Sequence, residues 1–236
     1  VLPPGHQYVQ LDGEVVLVTG AAAGIGQSAV RLFADAGATA IIVDLDAAAA
    51  QSLADELTQS GLKAFAMPCD VSDTQRVADV VRSVISDFGA IDVLVNNAGL
   101  FSNIPLIDVE QSFWRKVMAV NLDAVFYFSQ AVARESMIPR RKGVIINTAS
   151  LAGLVAGPDS PPYTTAKHGA VGLTKALAVE WAPYGLRVNA LCPGLTDTEM
   201  VKKGWQGKED ALAQRLARIP SGRSSTADEQ AAAIVF

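Results

Sequence analysis

The sequence predicts an α/β fold, a doubly wound parallel sheet with helices on both faces in a single domain. Three observations carry that expectation. Short runs rich in Val, Ile and Leu lack polar alternation, which suits strands buried on both faces. Longer amphipathic stretches separate them, and this order of strand and helix builds a parallel sheet with right-handed crossovers. The 236 residues, 50% hydrophobic and 18% charged, can bury a core on each side of one sheet.

Taken in order, Val15–Thr19 is the first strand, and a glycine-rich turn leads into a helix near 25–36. The strand Ala40–Val43 precedes a helix over 47–60, whose alanine run 47–50 reads as a helix start. Ala64–Pro68 and a helix over 73–88 follow, then Ile91–Asn96 and one long helix over 110–137. Val144–Thr148, a helix over 163–183 and Leu186–Leu191 complete the pattern. Residues 195–222 break it, with Gly204, Gly207, Pro220 and Gly222 set among charged residues. An insertion at that point lies over the carboxyl edge of the sheet, where ligands bind in doubly wound folds. A substrate lid is expected there, with a solvent-exposed insertion of no special role as the alternative. Residues 1–10 read as an N-terminal extension to a domain spanning 11–236. The chain stops at Phe236 within the apolar run Ala231–Phe236, so further sequence is expected beyond it.

A formal charge of −5, with Arg140-Arg141-Lys142 as the basic cluster, argues against a nucleic-acid surface. No apolar stretch reaches membrane-spanning length, and Val-Leu-Pro-Pro-Gly-His is not a signal peptide. Cys69 and Cys192 at strand ends read as free, buried thiols of a reducing cytoplasm. Together with His6 and His168 they match no familiar metal spacing, so no metal is expected.

The first strand runs into Gly20-Ala21-Ala22-Ala23-Gly24-Ile25-Gly26. Gly20 permits a tight turn, Gly24 lets backbone approach a pyrophosphate, and Gly26 lets helix and strand pack closely. The spacing is G-x-x-x-G-x-G, and a strand before with a helix after is the context that gives such a loop meaning. Asp44 follows the second strand, 18 residues after Gly26. A carboxylate there accepts hydrogen bonds from ribose hydroxyls and repels a 2′-phosphate, and no Arg or Lys stands at 21–23 or 45. NAD is therefore expected over NADP; a helix N-cap is the plainer role open to Asp44. Further on, Tyr163 and Lys167 stand at i and i+4, sharing a helix face, and Ser150 lies 13 residues before the tyrosine at a strand end.

With Thr19–Gly26 as T-G-x-x-x-G-I-G, Asn96–Gly99 as N-N-A-G and Tyr163–Lys167 as Y-x-x-x-K, the chain resembles the short-chain dehydrogenase/reductase family from about residue 11 to 236. The resemblance implies a Rossmann-type sheet and hydride transfer between nicotinamide and an alcohol, polyol, sugar or matching ketone. It implies Asp70 against the adenine amino group and Val71 against the ring, with Asn97, Ala98 and Gly99 at the ribose. Asn121 corresponds to a fourth catalytic residue beside Ser150, Tyr163 and Lys167. Pro193, Gly194 and Thr198 match a segment bordering the nicotinamide. The family usually continues into a seventh strand and forms tetramers or dimers, so a homo-oligomer is expected.

Tyrosine ordinarily loses its proton near pH 10, so an ammonium at Lys167, together with the positive nicotinamide, is expected to favour phenolate. Plainer roles stand beside these: Ser150 as a cap, Tyr163 as an interior aromatic, Lys167 as a surface lysine, Asn121 as the bridge of a helix kink. Phe101, Leu154, Met200 and Trp205 are candidates for an apolar substrate pocket or for ordinary packing, and the prolines of Gly157–Pro162 suit a stiff wall. No charged cluster selects an acid or a phosphate. Two other functions remain in view, an acyl-carrier-protein ketoreductase and a silent NAD-binding scaffold. The acidic balance and Asp44 weigh against the first, and the complete set of four residues weighs against the second.

Overall fold

Six parallel strands run in the order β3-β2-β1-β4-β5-β6 in the computed structural model, which describes residues 9–101, 103–158 and 160–236. Most of the 1–10 extension, His6 included, and Asp159 of the proline-rich stretch lie outside the described residues. The strands are β1 Val15–Thr19, β2 Thr39–Asp44, β3 Ala64–Pro68, β4 Val93–Asn96, β5 Gly143–Thr148 and β6 Leu186–Leu191. Between β1 and β4 lie α1 Gly24–Asp35, α2 Ala47–Gln59 and α3 Thr74–Phe88. Each strand and helix stands within a few residues of its expected place. The fourth strand starts at Val93 rather than Ile91, because the Asp92 carboxylate turns to accept the Val15 N–H at 2.9 Å.

Both sheet faces are covered at the central strands β1, β2 and β4. All five β1 residues are buried; Leu17 packs with the α3 side, while Val16 and Val18 pack with α1 and α2. Each such side chain contributes about 1.5–3 kcal/mol of apolar transfer. The central strands therefore show no alternation, whereas the edge strand β6 alternates, with Leu186 and Val188 buried and Arg187 and Asn189 exposed.

The long helix expected over 110–137 is interrupted. It comprises α4 Gln111–Met118, a π-turn at Ala119–Asp123, α5 Ala124–Val132, a second π-turn at Ala133–Met137, and α6 Ile138–Arg140. The first π-turn centres on Asn121, whose Nδ2 donates to Val117 O at 3.1 Å. At the second, Ser136 Oγ accepts the Ile91 N–H at 2.9 Å and donates to Ile91 O at 3.1 Å. Side chains that take a distant strand's backbone as partner widen the turn. After β5 comes α7 Pro161–Trp181.

The insertion at 195–222 holds α8 Glu199–Trp205 and α9 Glu209–Leu216. Its two ends are tied by Asp197 N–H to Ser225 O at 2.8 Å and Ser225 N–H to Leu195 O at 3.0 Å. The final helix, α10 Ala227–Val235, starts earlier than the apolar run suggests. Thr226 and Glu229 form a capping box there, and Ala231 and Ile234 are buried with the α1 side of the sheet. No helix among the described residues is long and apolar enough to cross a membrane.

Candidate active site

A cavity of about 620 Å³ opens at the carboxyl edge of the sheet, and the sequence motifs meet in it. Gly20 turns the chain with φ 62°, and a Cβ there would stand 2.6 Å from Ala98 Cα. Gly24, at φ 55°, starts α1, whose N-cap Ala23 offers no side-chain hydrogen bond. The first turn of α1 therefore presents backbone N–H groups to whatever occupies the cavity, and that end of a helix favours anions. Gly26 lies against Gly20 O and Asn97 Nδ2 so closely that a Cβ would meet them at 2.3 and 2.6 Å. Asn97 secures the turn from β4, its Nδ2 donating to Thr19 O at 3.1 Å and Gly20 O at 3.0 Å. Ala98 and Gly99 follow along the cavity wall with Ile25.

Asp44 lies at the same wall, half-buried. Its Oδ2 accepts the Ala22 N–H at 2.9 Å and its Oδ1 accepts the Asp46 N–H at 3.0 Å. It thus braces the glycine turn, while Asp46, not Asp44, caps α2 through Ala49 N–H. Each carboxylate oxygen has capacity beyond these single bonds. Asp70 and Val71 form the adjoining edge, with Asp70 Oδ1 accepting from Ser72 N and Oγ at 2.9 and 2.6 Å. The Ser72 hydroxyl and N–H hold the Asp70 carboxyl below its ordinary range.

At the opposite end Ser150, Tyr163 and Lys167 share the cavity wall with Asn121. Lys167 is buried, its Nζ donating to Thr148 O at 2.7 Å and lying 5.7 Å from the Tyr163 ring centroid. Burial pushes its ammonium down to about 8. Burial pushes the Tyr163 phenol up, and a hydrogen bond with Ser150 opposes that in part. The protein's own groups thus hold the phenol above its ordinary range, whereas the expectation of a phenolate drew on Lys167 together with the positive nicotinamide. Desolvation is the reason: it penalises both charged forms. Ser150 Oγ also accepts the Ala152 N–H at 3.1 Å, capping a short turn at Leu151–Gly153.

Asn121 is fully buried and spends its amide on backbone. Oδ1 accepts the Leu100 N–H at 3.2 Å, and Nδ2 donates to Leu100 O at 3.0 Å as well as to Val117. It therefore does bridge the helix kink. It also faces Lys167 across Gly99, where a Cβ would stand 2.9 Å from Asn121 Oδ1 and 3.7 Å from Lys167 Nζ. Pro193, Gly194 and Thr198 line the cavity near the glycine turn, with Thr198 Cγ2 only 3.3 Å from a Cβ placed on Gly24.

Of the four pocket candidates, Met200 lines this cavity, and Phe101, Leu154 and Trp205 do not. Phe101 meets the Tyr163 ring edge-on at 5.2 Å and packs against Gly204 of α8. Leu154 is exposed, because the turn at Leu151–Gly153 directs the chain outward. Trp205 lies beneath Arg215, whose Cζ is 5.7 Å from the ring centroid. Sequence reasoning missed Arg215 and the cavity residues Lys116 and Thr196. No short motif marks an arginine on an insertion, so its place against Trp205 emerges only from the fold.

A family model described as short chain dehydrogenase matches residues 14–209. The chain is 39% identical to 3beta-hydroxysteroid dehydrogenase 2 of Eggerthella lenta over 96% of this chain and 88% of that protein. It is 40% identical to D-threitol dehydrogenase of Mycolicibacterium smegmatis, covering 96% of this chain and 86% of that one. Among solved structures, a gluconate 5-dehydrogenase from Burkholderia cenocepacia in complex with NADP and tartrate superposes with TM-score 0.90. That pair shares 38% identity over 96% of this chain and 88% of that one.

Proposed function

The chain belongs to the short chain dehydrogenase family, and from that premise we propose that Tyr163 passes the proton of the reacting hydroxyl or carbonyl in a cavity that would hold NAD. It is an oxidoreductase acting on hydroxyl or keto groups with a nicotinamide cofactor. Residues 11–236 form its nucleotide-binding catalytic domain in this reading, and 195–222 its lid.

The carrying observation is that Ser150, Tyr163 and Lys167 share one cavity with an uncapped helix start and the Gly20–Gly26 turn. The residues fit a dinucleotide: a glycine cradle that a Cβ would fill, an anion-favouring helix end, and a carboxylate with spare acceptor capacity. Gly20, Gly24, Ile25 and Gly26 would hold the pyrophosphate and Asp44 the adenosine ribose. Asp70 and Val71 would hold the adenine, and Asn97, Ala98 and Gly99 would line the ribose. Pro193, Gly194 and Thr198 would flank the nicotinamide. Bound there, the cofactor supplies a hydride in reduction, or its acceptor and a positive ring charge in oxidation.

In reduction the Tyr163 O–H donates its proton to the carbonyl oxygen, and Ser150 Oγ–H donates a hydrogen bond to the same atom. In oxidation the phenolate accepts the alcohol proton. Lys167 has donors beyond the one given to Thr148, so it can also hold a ribose hydroxyl. Asn121 is assigned as the residue that positions Lys167's outlet for protons, from its place across Gly99.

Asp44 supports NAD, although a solved relative holds NADP. A 2′-phosphate beside this carboxylate would meet like charge, with Leu45 and the alanines 21–23 offering no cation. We further propose a homo-oligomer, from apolar side chains left exposed on α5 and α7 (Phe126 at 40%, Val179 at 79%). A reducing cytoplasm suits free Cys69 and Cys192, the former pushed up to about 11 by burial and so poorly reactive. The test is turnover across alcohols, polyols, sugars, steroids and hydroxy acids with NAD and NADP, read as nicotinamide absorbance. The expected result is turnover with kcat/KM for NAD about 100-fold above that for NADP. Cofactor binding without turnover on any substrate would instead favour a silent scaffold.

A further inference from the structure

We infer that Phe101 is a positioning residue for Tyr163: its ring bears on both the phenol ring and Gly204 of α8, so the seating of the insertion sets where the proton-transfer group stands. The inference rests on the reading of Tyr163 as that group. Phe101 stands two residues beyond Gly99, on a segment that Asn121 holds at Leu100, accepting its N–H at 3.2 Å and donating to its O at 3.0 Å. The Phe101 and Tyr163 rings meet at a centroid distance of 5.2 Å and an interplanar angle of 88°. Edge-to-face contact is a favoured arrangement, since the positive rim of one ring meets the negative face of the other. Against α8, a Cβ built on Gly204 would stand 2.5 Å from Phe101 Cδ1 and 2.7 Å from Cε1. The ring therefore fills the space that a side chain at 204 would need, and glycine is what admits it. A second tie joins the insertion to the same segment, Lys208 Nζ donating to Asn103 O at 2.8 Å.

Tyr163 lies in the first turn of α7, whose N-cap Ser160 makes no side-chain cap hydrogen bond. Besides the Phe101 ring, the phenol meets Ser150 by a hydrogen bond, and Lys167 Nζ lies 5.7 Å from its ring centroid. A hydrogen bond at the phenol oxygen leaves the ring free to tilt about it. An edge-on neighbour restrains that tilt, because turning either plane destroys the arrangement. The helix that bears on Phe101 also reaches the cofactor end of the cavity. Glu199, Met200 and Val201 of α8 line it, and its N-cap Thr198 lies 3.3 Å from a Cβ placed on Gly24. One helix thus touches the glycine turn at its start and Phe101 at Gly204. Proton transfer tolerates little error, since a misplacement of about 1 Å can cost about 100-fold in rate. Phe101 does not itself line the cavity, so its effect on turnover passes through Tyr163.

The test measures kcat, the solvent deuterium isotope effect on kcat and NADH affinity in wild type, Phe101→Ala, Gly204→Ala, the double variant and Tyr163→Phe. The substrate is one that wild type turns over in the panel of alcohols, polyols, sugars, steroids and hydroxy acids. Phe101→Ala should lower kcat about 10-fold and raise the isotope effect as proton transfer slows, with NADH affinity held. Gly204→Ala should do the same, because its Cβ displaces the ring. In the double variant Gly204→Ala should add nothing to Phe101→Ala, the ring it acts on being gone. Circular dichroism checks that each variant is folded, and if Phe101→Ala is not, Gly204→Ala carries the test alone. Wild-type kcat in either single variant overturns the positioning role. So does a loss that falls on NADH affinity, a loss of kcat with no rise in the isotope effect, or an equal cost of Gly204→Ala with and without the Phe101 ring. If Tyr163→Phe is inactive beside any of these results, the positioning role alone fails. If Tyr163→Phe stays active, or wild type turns over nothing, the reading of Tyr163 fails and takes the inference with it.

Discussion

Lys167 and Tyr163 are pushed by burial in opposite directions, the ammonium down to about 8 and the phenol up. The sign for pH follows. A raised phenol stays protonated at neutral pH, so kcat/KM for ketone reduction should be level there and fall only in alkaline solution. Oxidation needs the ionised phenol, so its kcat/KM should climb with pH, and Lys167→Met should move that climb to higher pH. An oxidation profile falling from pH 6 to 9, a range bracketing the Lys167 value, contradicts the assignment. Asp44 has a double task, since the Ala22 and Asp46 N–H groups both depend on it. Asp44→Ala should weaken NAD binding about 10- to 100-fold, measurable by calorimetry, because it removes ribose acceptors and unpairs backbone donors. Tyr163, Lys167 and Ser150 stood out because their spacing, on one helix face and one strand end, came with the glycine-rich turn and N-N-A-G upstream. The stacking of Arg215 on Trp205 was not legible, because it comes from how α9 packs against α8.

At the scale of elements, the central strands β1, β2 and β4 could be located nearly to the residue, since burial on both faces keeps them apolar. The breaks in the long helix were hidden, since a π-turn is set by what a side chain finds across the fold and not by local propensity. Asn121 shows this: removing its amide orphans the Leu100 N–H and O and frees Val117 O. Asn121→Ala should therefore lower stability by about 2–4 kcal/mol, read as a shift in the urea midpoint with little change in slope. The start of α10 was readable after all from Thr226-x-x-Glu229, a capping box overlooked beside the apolar run after it. Thr226→Ala should cost about 1 kcal/mol in the same assay.

For the whole molecule, the sheet order brings the ends of β1, β4 and β5 together, so one edge gathers residues from 20 to 201. Tied at Asp197 and Ser225, the insertion packs on Phe101 through Gly204. Bound NAD should slow proteolysis within 195–222 more than elsewhere, which mass mapping of the fragments would show. Exposed Val179 on α7 gives the assembly its own check. Val179→Asp should lower the mass measured by light scattering if α7 faces a second copy, and leave it unaltered if the assembly forms elsewhere. Proton transfer through one buried phenol remains the claim on which the rest depends. Its most direct measurement is Tyr163→Phe assayed for turnover and NADH affinity together. The account predicts a kcat loss of about 100- to 10,000-fold with NADH affinity held, and near-wild-type turnover would contradict it.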